Sequence, residues 1–209
     1  ATERNRSIGK FIDFVICTNL SNLTDAHLLF FKEHNIKISS SLDGPAFLHD
    51  HNRPCSRGSS HALVEYNLRR AQEALGRENV SVLMTTTKES LAYPREIIDE
   101  YLRLNLGSIV LRSLSPFGFA TKTMKAIGYS SEEFVEFYKK ALDYILELNR
   151  QGHSFAEGFA TLLLTKILTP FPNGYVDLQS PAGAGFSAVA YNYDGEVYAS
   201  DEARMLAEM

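Results

Sequence analysis

The sequence predicts an α/β fold, and three observations carry that prediction. Short apolar runs rich in β-branched and aromatic residues alternate with amphipathic segments of about ten to fifteen residues. Each amphipathic segment opens on a residue suited to cap or start a helix. Each apolar run ends in a polar cluster of hydroxyls, amides or charges. Strands alternating with helices imply right-handed βαβ crossovers and a parallel sheet, either open and doubly wound or closed as a barrel.

Residues 10–17 (KFIDFVIC) read as the first strand. Thr24 stands at an N-cap position ahead of Ala26, Leu28, Leu29, Phe30 and Phe31, so a helix follows and ends near Asn35. Residues 36–42 (IKISSSL) are the second strand. After a loop containing Gly44, Pro45 and Pro54, Ser59 or Ser60 caps a helix through Leu63, Val64, Leu68, Ala71 and Leu75. Residues 80–86 (VSVLMTT) are the third strand, Pro94 suits the first turn of a helix carrying Ile97, Ile98, Tyr101 and Leu102, and residues 108–114 (SIVLRSL) are the fourth strand. Beyond Gly118 the pattern changes. Ser130 or Ser131 caps a long helix with Glu132 and Glu133 in its first turn and a stripe of Phe134, Phe137, Tyr138, Leu142, Ile145 and Leu146. Residues 155–168 read as one more helix, 173–174 and 180–185 as loop, and 188–200 as a β-hairpin around Asp194 and Gly195.

A chain of 209 residues, 44% of them hydrophobic, supports one main core rather than two full-sized domains. Its net charge is -4 and Lys and Arg are scattered, so no basic run could track a phosphate backbone and nucleic acid is not an expected partner. No apolar run approaches the roughly 20 residues that cross a bilayer. The first residues also lack the apolar segment of a signal peptide, so the cytoplasm is the expected location and no membrane partner is expected. Cys17 and Cys55 are too few for a disulfide framework and read as small buried or half-buried side chains. The absence of an initiator Met and the abrupt end at Met209 suggest a chain cut at both ends.

Ligands of parallel α/β folds sit beyond the carboxyl ends of the strands. The polar ends 17–19 (CTN), 41–44 (SLDG), 85–89 (TTTKE) and 112–116 (RSLSP) fall on that one rim, which predicts a binding site there. Asp43, Gly44 and Pro45 would by themselves also suit a plain turn. His49, Asp50 and His51 are adjacent, project in different directions and lack a third spaced ligand, so they are expected to be solvated or capping and no metal site is expected. Lys88 and Glu89 read as a surface ion pair. Arg112, at the end of a buried strand, needs an anion or solvent, and a ligand carboxylate would serve.

Residues 16–20 (ICTNL), 38–45 (ISSSLDGP) with His49, Asp50 and Arg53, and 111–118 (LRSLSPFG) resemble successive strand ends of radical S-adenosylmethionine (SAM) enzymes. They are most similar to the peptide-modifying branch with a C-terminal SPASM domain, which includes anaerobic sulfatase-maturating enzymes. Residues 181–185 (PAGAG) and 191–206 (YNYDGEVYASDEARML) look most like the radical SAM maturase of His-Xaa-Ser peptide systems. The resemblance runs over nearly the whole chain. It implies the third to sixth strands of a partial (β/α)6 TIM-like barrel at 1–118, a helical connection at 119–170 and a truncated SPASM-like region at 171–209. It further implies an iron-sulfur, metal-binding enzyme in which a [4Fe-4S] cluster reduces S-adenosyl-L-methionine. The resulting 5'-deoxyadenosyl radical abstracts a hydrogen from a peptide substrate, here a His-Xaa-Ser repeat precursor, with an electron donor as second partner. By the same resemblance Ser41 helps hold the methionine carboxylate, Asp43 and Gly44 shape the rim, and Thr18 and Asn19 line the cofactor cleft. Leu111 lies by the adenine, Arg53 or Arg112 gives positive charge to the carboxylate, and Asp201 is a candidate catalytic base.

The departures are specific. There is no CxxxCxxC and no Gly-Gly-Glu-Pro segment, and two distant cysteines do not supply a cluster's thiolates. The resemblance therefore implies an amino-terminally truncated chain whose cluster ligands lie in the missing part. A natural domain that had lost its cluster would instead leave an unpaired hydrophobic sheet edge. Ala182 and Ser200 stand where the SPASM domain has cluster cysteines. Two other readings use the same rim. One is a non-redox α/β-barrel protein that binds a phosphorylated or carboxylated metabolite, although no Gly-rich phosphate loop opens any helix. The other is a peptide-binding scaffold without catalysis.

Overall fold

The computed structural model describes residues 7, 9, 12–56, 58–117, 119–175, 178–180, 183–186 and 188–207. Strands β1 (Phe14–Cys17), β2 (Ile36–Ser41) and β3 (Val80–Leu83) form a parallel sheet in that order, with Phe14 opposite Ile36 and Ile38 opposite Val80. Helix α1 (Asp25–Glu33) connects β1 to β2, and α2 (Ala46–Asn52) and α3 (Ser60–Leu75) connect β2 to β3. Helix α4 (Pro94–Arg103) leads to β4 (Ser108–Ile109), which pairs in parallel with β5 (Ala156–Glu157). Between those two strands lie α5 (Phe119–Ile127) and α6 (Ser131–Arg150). After β5 come α7 (Gly158–Leu168), the antiparallel hairpin of β6 (Ala190–Tyr191) and β7 (Val197–Tyr198), and α8 (Asp201–Ala207). The architecture is α/β with small parallel sheets.

The helix starts follow local chemistry. Thr24 accepts from the His27 N–H while the Thr24 N–H donates to His27 Nδ1, Ser59 accepts from the Ala62 N–H, and Ser130 forms a reciprocal box with Glu133. Each such cap contributes about 1 kcal/mol by satisfying donors that the helix cannot. Pro94 occupies the first turn of α4, as its missing N–H and fixed φ favour. The core gathers Leu42, Leu48, Leu68, Ile97, Ile98 and Tyr101, with Phe137, Ala141 and Ile145 of α6 packed into the same cluster.

Strand ends fall short of the sequence expectation for one physical reason: their N–H groups bond elsewhere. β3 stops at Leu83 because the Thr85 N–H donates to the Asp43 carboxylate and the Thr86 N–H to the Arg112 carbonyl. β4 spans two residues because the Leu111 N–H goes to the Glu157 carboxylate and the Arg112 N–H to Val110. The Thr86 bond also joins the segments that follow β3 and β4, so the two parallel sheets meet beyond their carboxyl ends. The expected helix over 155–168 begins at 158 because Glu157 pairs within β5 and caps α7. Helices α2 and α8 stand in segments where no helix is expected, and α5 falls within the segment 119–170 expected to be helical. Residues 10 and 11 of the expected first strand, Gly118, Pro181 and Ala182 lie outside the described residues.

Period two explains the faces of β2. Ile38 and Ser40 are buried, while Ser39 and Ser41 lie on the other, half-exposed face. β1 is an edge strand of the described sheet, with Phe14 and Val15 exposed. Among the described residues no helix is long and apolar enough to cross a membrane. Tyr101 fixes the end of β2 from below: its buried hydroxyl donates to the Leu42 carbonyl at 2.7 Å. Tyr101→Phe leaves that carbonyl without this donor in the core, so we expect a loss of about 2 kcal/mol in urea unfolding with an unchanged denaturant slope.

Candidate functional site

The carboxyl ends of β1 and β2 and the first turns of α3 enclose a cleft of about 450 Å³ lined by Asn19, Ser41, His49, Arg53, Cys55 and Ser60, among others. Its framework is Asp43. The Asp43 side chain is 2% exposed, and its carboxylate accepts from Arg53 Nε at 2.7 Å, Arg53 Nη2 at 3.1 Å and the Thr85 N–H at 3.0 Å. A carboxylate this buried is stable only when paired and hydrogen-bonded, and the guanidinium fork meets both conditions. Arg53 thus reaches the cleft with Nε and Nη2 engaged and Nη1 without a protein acceptor among the described residues. Gly44 makes the approach possible. Its φ is +127°, and a Cβ there would lie 2.9 Å from Ile97 Cγ1 and 3.2 Å from Leu48 Cδ2.

His49 closes the turn. It is fully buried, and its Nδ1 accepts the Asp43 N–H at 3.1 Å. Burial holds its pKa below the usual histidine range, against the opposing pull of Asp43 and with help from Arg53 and His61. The imidazole is therefore neutral with its proton on Nε2, an assignment that follows from the hydrogen-bond network. Nε2 has no partner among the described residues, a deficit that costs about 1–3 kcal/mol. The rim beyond β1 is held by a different device. Leu20, buried and at φ +59°, receives the Asn67 amide on its carbonyl at 2.9 Å and donates its own N–H to the Thr18 hydroxyl at 3.1 Å. A non-glycine residue in the left-handed region persists only when its surroundings hold it there. Asn19 follows from that geometry and caps the Ser21 N–H at 3.1 Å.

The structure brings Asn19, Ser41, Asp43, Gly44 and Arg53 together, with Thr18 beside them. Leu111 is buried, its N–H held by Glu157. Arg112 is exposed and outside the cleft lining, so solvent rather than a buried anion satisfies it. Asp201 starts α8, pairs with Arg204 at 2.8 Å and does not line the cleft. Three expectations need correction. Cys17, at the end of the edge strand β1, is exposed rather than buried or half-buried. His49 is buried and structural rather than solvated, because α2 turns it inward, while Asp50 accepts the His61 N–H at 2.7 Å and His51 stays exposed. Glu89 pairs with His51 at 3.0 Å rather than with Lys88, whose ammonium makes no ion pair among the described residues and whose backbone N–H donates to the Ile127 carbonyl. Sequence reasoning missed Glu157 and Asn67. A lone carboxylate before Gly158 in an apolar run was a legible cap signal for the first, and nothing marked the second.

No family model matches the chain. A stretch of 79 residues is 40% identical to the uncharacterized protein sll1766 of Synechocystis sp., covering 36% of this chain and 19% of that protein. Among solved structures, native anSMEcpe with bound AdoMet and Kp18Cys peptide has a TM-score of 0.69 at 17% identity, over 95% of this chain and 54% of that one. Native anSMEcpe with bound AdoMet and Cp18Cys peptide gives 0.67 at 16% identity, over 96% and 55%. The chain thus spans about half the length of the solved structures it matches. Those structures are of an anaerobic sulfatase-maturating enzyme, so the fold is α/β and similar to that of a radical SAM enzyme.

Beside the cleft, on α3 and α4, His61, Glu65 and Glu100 converge closely enough to suggest a metal. The cation there is Arg103, which donates to Glu100 at 2.7 and 2.8 Å and to Glu65 at 2.7 and 2.8 Å, while His61 Nε2 lies 2.7 Å from Glu100. Burial would raise the Glu100 pKa, but the hydrogen bonds from Arg103 and His61 outweigh it and hold the carboxyl below its usual range. Arg103 holds Glu65 down to about 2. Arg103→Leu strands the buried Glu100 with His61 alone, so unfolding in urea should show a loss of about 3 kcal/mol at neutral pH. Glu65's folded pKa is depressed, so its contribution is present above pH 4.5 and lost as pH falls toward about 2, and that acid-linked loss should shrink in the variant to the part that Arg69 still supplies.

Proposed function

We propose that the cleft binds S-adenosyl-L-methionine and that the chain belongs to a radical SAM enzyme that modifies a peptide. The observation that carries the reading is the Ser41–Asp43–Arg53 constellation: a hydroxyl and a clamped guanidinium in one cleft at the carboxyl end of a parallel sheet. The likeness in fold to structures that hold AdoMet and a peptide supports it. The donors suit the cofactor's amino-acid end. The Ser41 hydroxyl and the free Nη1 of Arg53 would take its carboxylate, and the Asn19 amide would border it. Asp43 would act only through Arg53, and the Leu111 side chain would border the adenine. In this reading β1 to β4, linked across the two sheets through Thr86 and Arg112, are consecutive staves of a partial (β/α)6 barrel over 1–118, and β5 adds to the last of them from the following segment. Residues 119–170 connect it to a SPASM-like region at 171–209.

Bound there, the cofactor would supply the 5'-deoxyadenosyl radical that abstracts a hydrogen from the peptide. The two cysteines, Cys17 and Cys55, do not fit the ligand set of a [4Fe-4S] cluster, so the reading requires that cluster's thiolates from outside these 209 residues. The substrate we propose is a His-Xaa-Ser-type precursor peptide, in the cytoplasm, with an external electron donor. Asp201 would serve as a base only after releasing Arg204.

The test is AdoMet affinity by calorimetry. Ser41→Ala should weaken binding about tenfold, the worth of one hydrogen bond to a charged group. Arg53→Lys should weaken it by at least about tenfold, because an ammonium cannot both fork to Asp43 and reach the ligand. Arg112→Ala should change little, since that side chain lies outside the cleft lining. Unchanged affinity in both Ser41→Ala and Arg53→Lys would reject the site.

A further inference from the structure

Two polar groups of Asp43 leave in opposite directions, and each has its own partner. The carboxylate holds Arg53 and the Thr85 N–H, while the backbone N–H is accepted by His49 Nδ1. The Asp43–Gly44 turn is buried, so its N–H has no water to turn to. His49 comes six residues later on α2, and Arg53 lies just past the end of the same helix. The imidazole therefore ties the start of the turn to the helix that delivers Arg53.

Packing alone does not account for a histidine here. A leucine would fill a fully buried position without leaving a nitrogen unpartnered, whereas His49 carries an Nε2 with no partner among the described residues. What the imidazole supplies is an acceptor on Nδ1. We propose that His49 is a positioning residue of the cleft: by accepting the Asp43 N–H at Nδ1 it sets the turn that aims the Arg53 guanidinium at the ligand. The identity of that ligand rests on the S-adenosyl-L-methionine reading, and the positioning role does not. The role requires a neutral ring, since protonation at Nδ1 would set two donors against each other. The charged and titratable groups that face His49 are Asp43 at the end of β2, Arg53 and Asp50 from α2, and His61 of α3, whose ring lies 5.8 Å away edge to face. Burial keeps the ring neutral, with Arg53 and His61 pushing the same way, against the pull of Asp43 and Asp50.

The amide side chains separate the two ring nitrogens: Asn places its oxygen near the position of Nδ1, and Gln near that of Nε2. The readout is solvent exchange of the Arg53 Nε–H by NMR on the whole chain, which needs no ligand, together with AdoMet affinity. We expect His49→Asn to keep exchange within about threefold of wild type, and His49→Gln and His49→Leu to speed it at least tenfold. AdoMet affinity should fall in the same order. Below the usual histidine range, acid should accelerate exchange in wild type as Nδ1 gains its proton, but not in His49→Asn at the same pH. Protection kept by Gln and lost by Asn would overturn the proposal by moving the role to Nε2. Equal protection in all three variants would overturn it by making His49 a filler. If wild type fails to bind AdoMet while the exchange pattern holds, the ligand reading fails and the positioning role stands.

Discussion

One buried carboxylate organises the cleft. Asp43 is taken out of water at the end of β2, and an uncompensated charge there would be untenable, so every neighbouring element contributes to satisfying it. Arg53 from the far end of α2 and the Thr85 N–H from the end of β3 meet the carboxylate, while His49, on the buried face of α2, accepts the Asp43 backbone N–H. The turn that brings them together needs Gly44, because its φ is +127° and a Cβ would collide with Ile97. Tyr101 completes the arrangement from α4 by bonding the Leu42 carbonyl. Burial raises the pKa of that phenol, with Asp43 adding to it, so the hydroxyl remains a donor at any working pH.

A second polar seam runs between α3 and α4 on the same logic. His61, Glu65, Glu100 and Arg103 form a closed network in which two carboxylates share one guanidinium. Asp50 links this seam to the cleft, since its carboxylate accepts both the His61 N–H and the Ser60 hydroxyl at the start of α3. Burial opposes the ionised form of Asp50, yet these hydrogen bonds hold its pKa below the usual range. The short helix α2 is thereby fixed through its carboxyl-terminal half by the charges of Asp50 and Arg53, which a seven-residue segment could not achieve by propensity.

What was legible in the sequence was local. Thr24, Ser59 and Ser130 announce helices because a cap and its partner lie within three residues, and Pro94 because its fixed φ and missing N–H suit a first turn. Asp194-Gly195 announces the hairpin for the same reason, and the rim of hydroxyls and amides was visible because strand ends are visible. The rest depended on partners far along the chain. α2 is too short to show a period, so His49 looked solvated when it is buried. The fourth strand read as seven residues because its composition is that of a strand. Glu157, 46 residues beyond Leu111, took the N–H that a ladder would have used. Asn67, 47 residues from Leu20, was likewise unreadable.

The charge balance of the cleft bears on what it can hold. Asp43 and Arg53 cancel, so the site offers directed donors without a net positive field. A phosphorylated metabolite calls for the opposite: excess cations or an open helix N-terminus. The helix whose start borders the cleft is α3, and its first N–H groups are already taken, His61 by Asp50 and Ala62 by Ser59. α2 is capped by a proline that offers no side-chain acceptor and is only seven residues long. An amino-acid head group, itself zwitterionic, matches a paired Asp and Arg better than a dianion does. The carboxylate that organises the cleft thus narrows the class of ligand, because Arg53 can lend only the N–H groups that Asp43 leaves free.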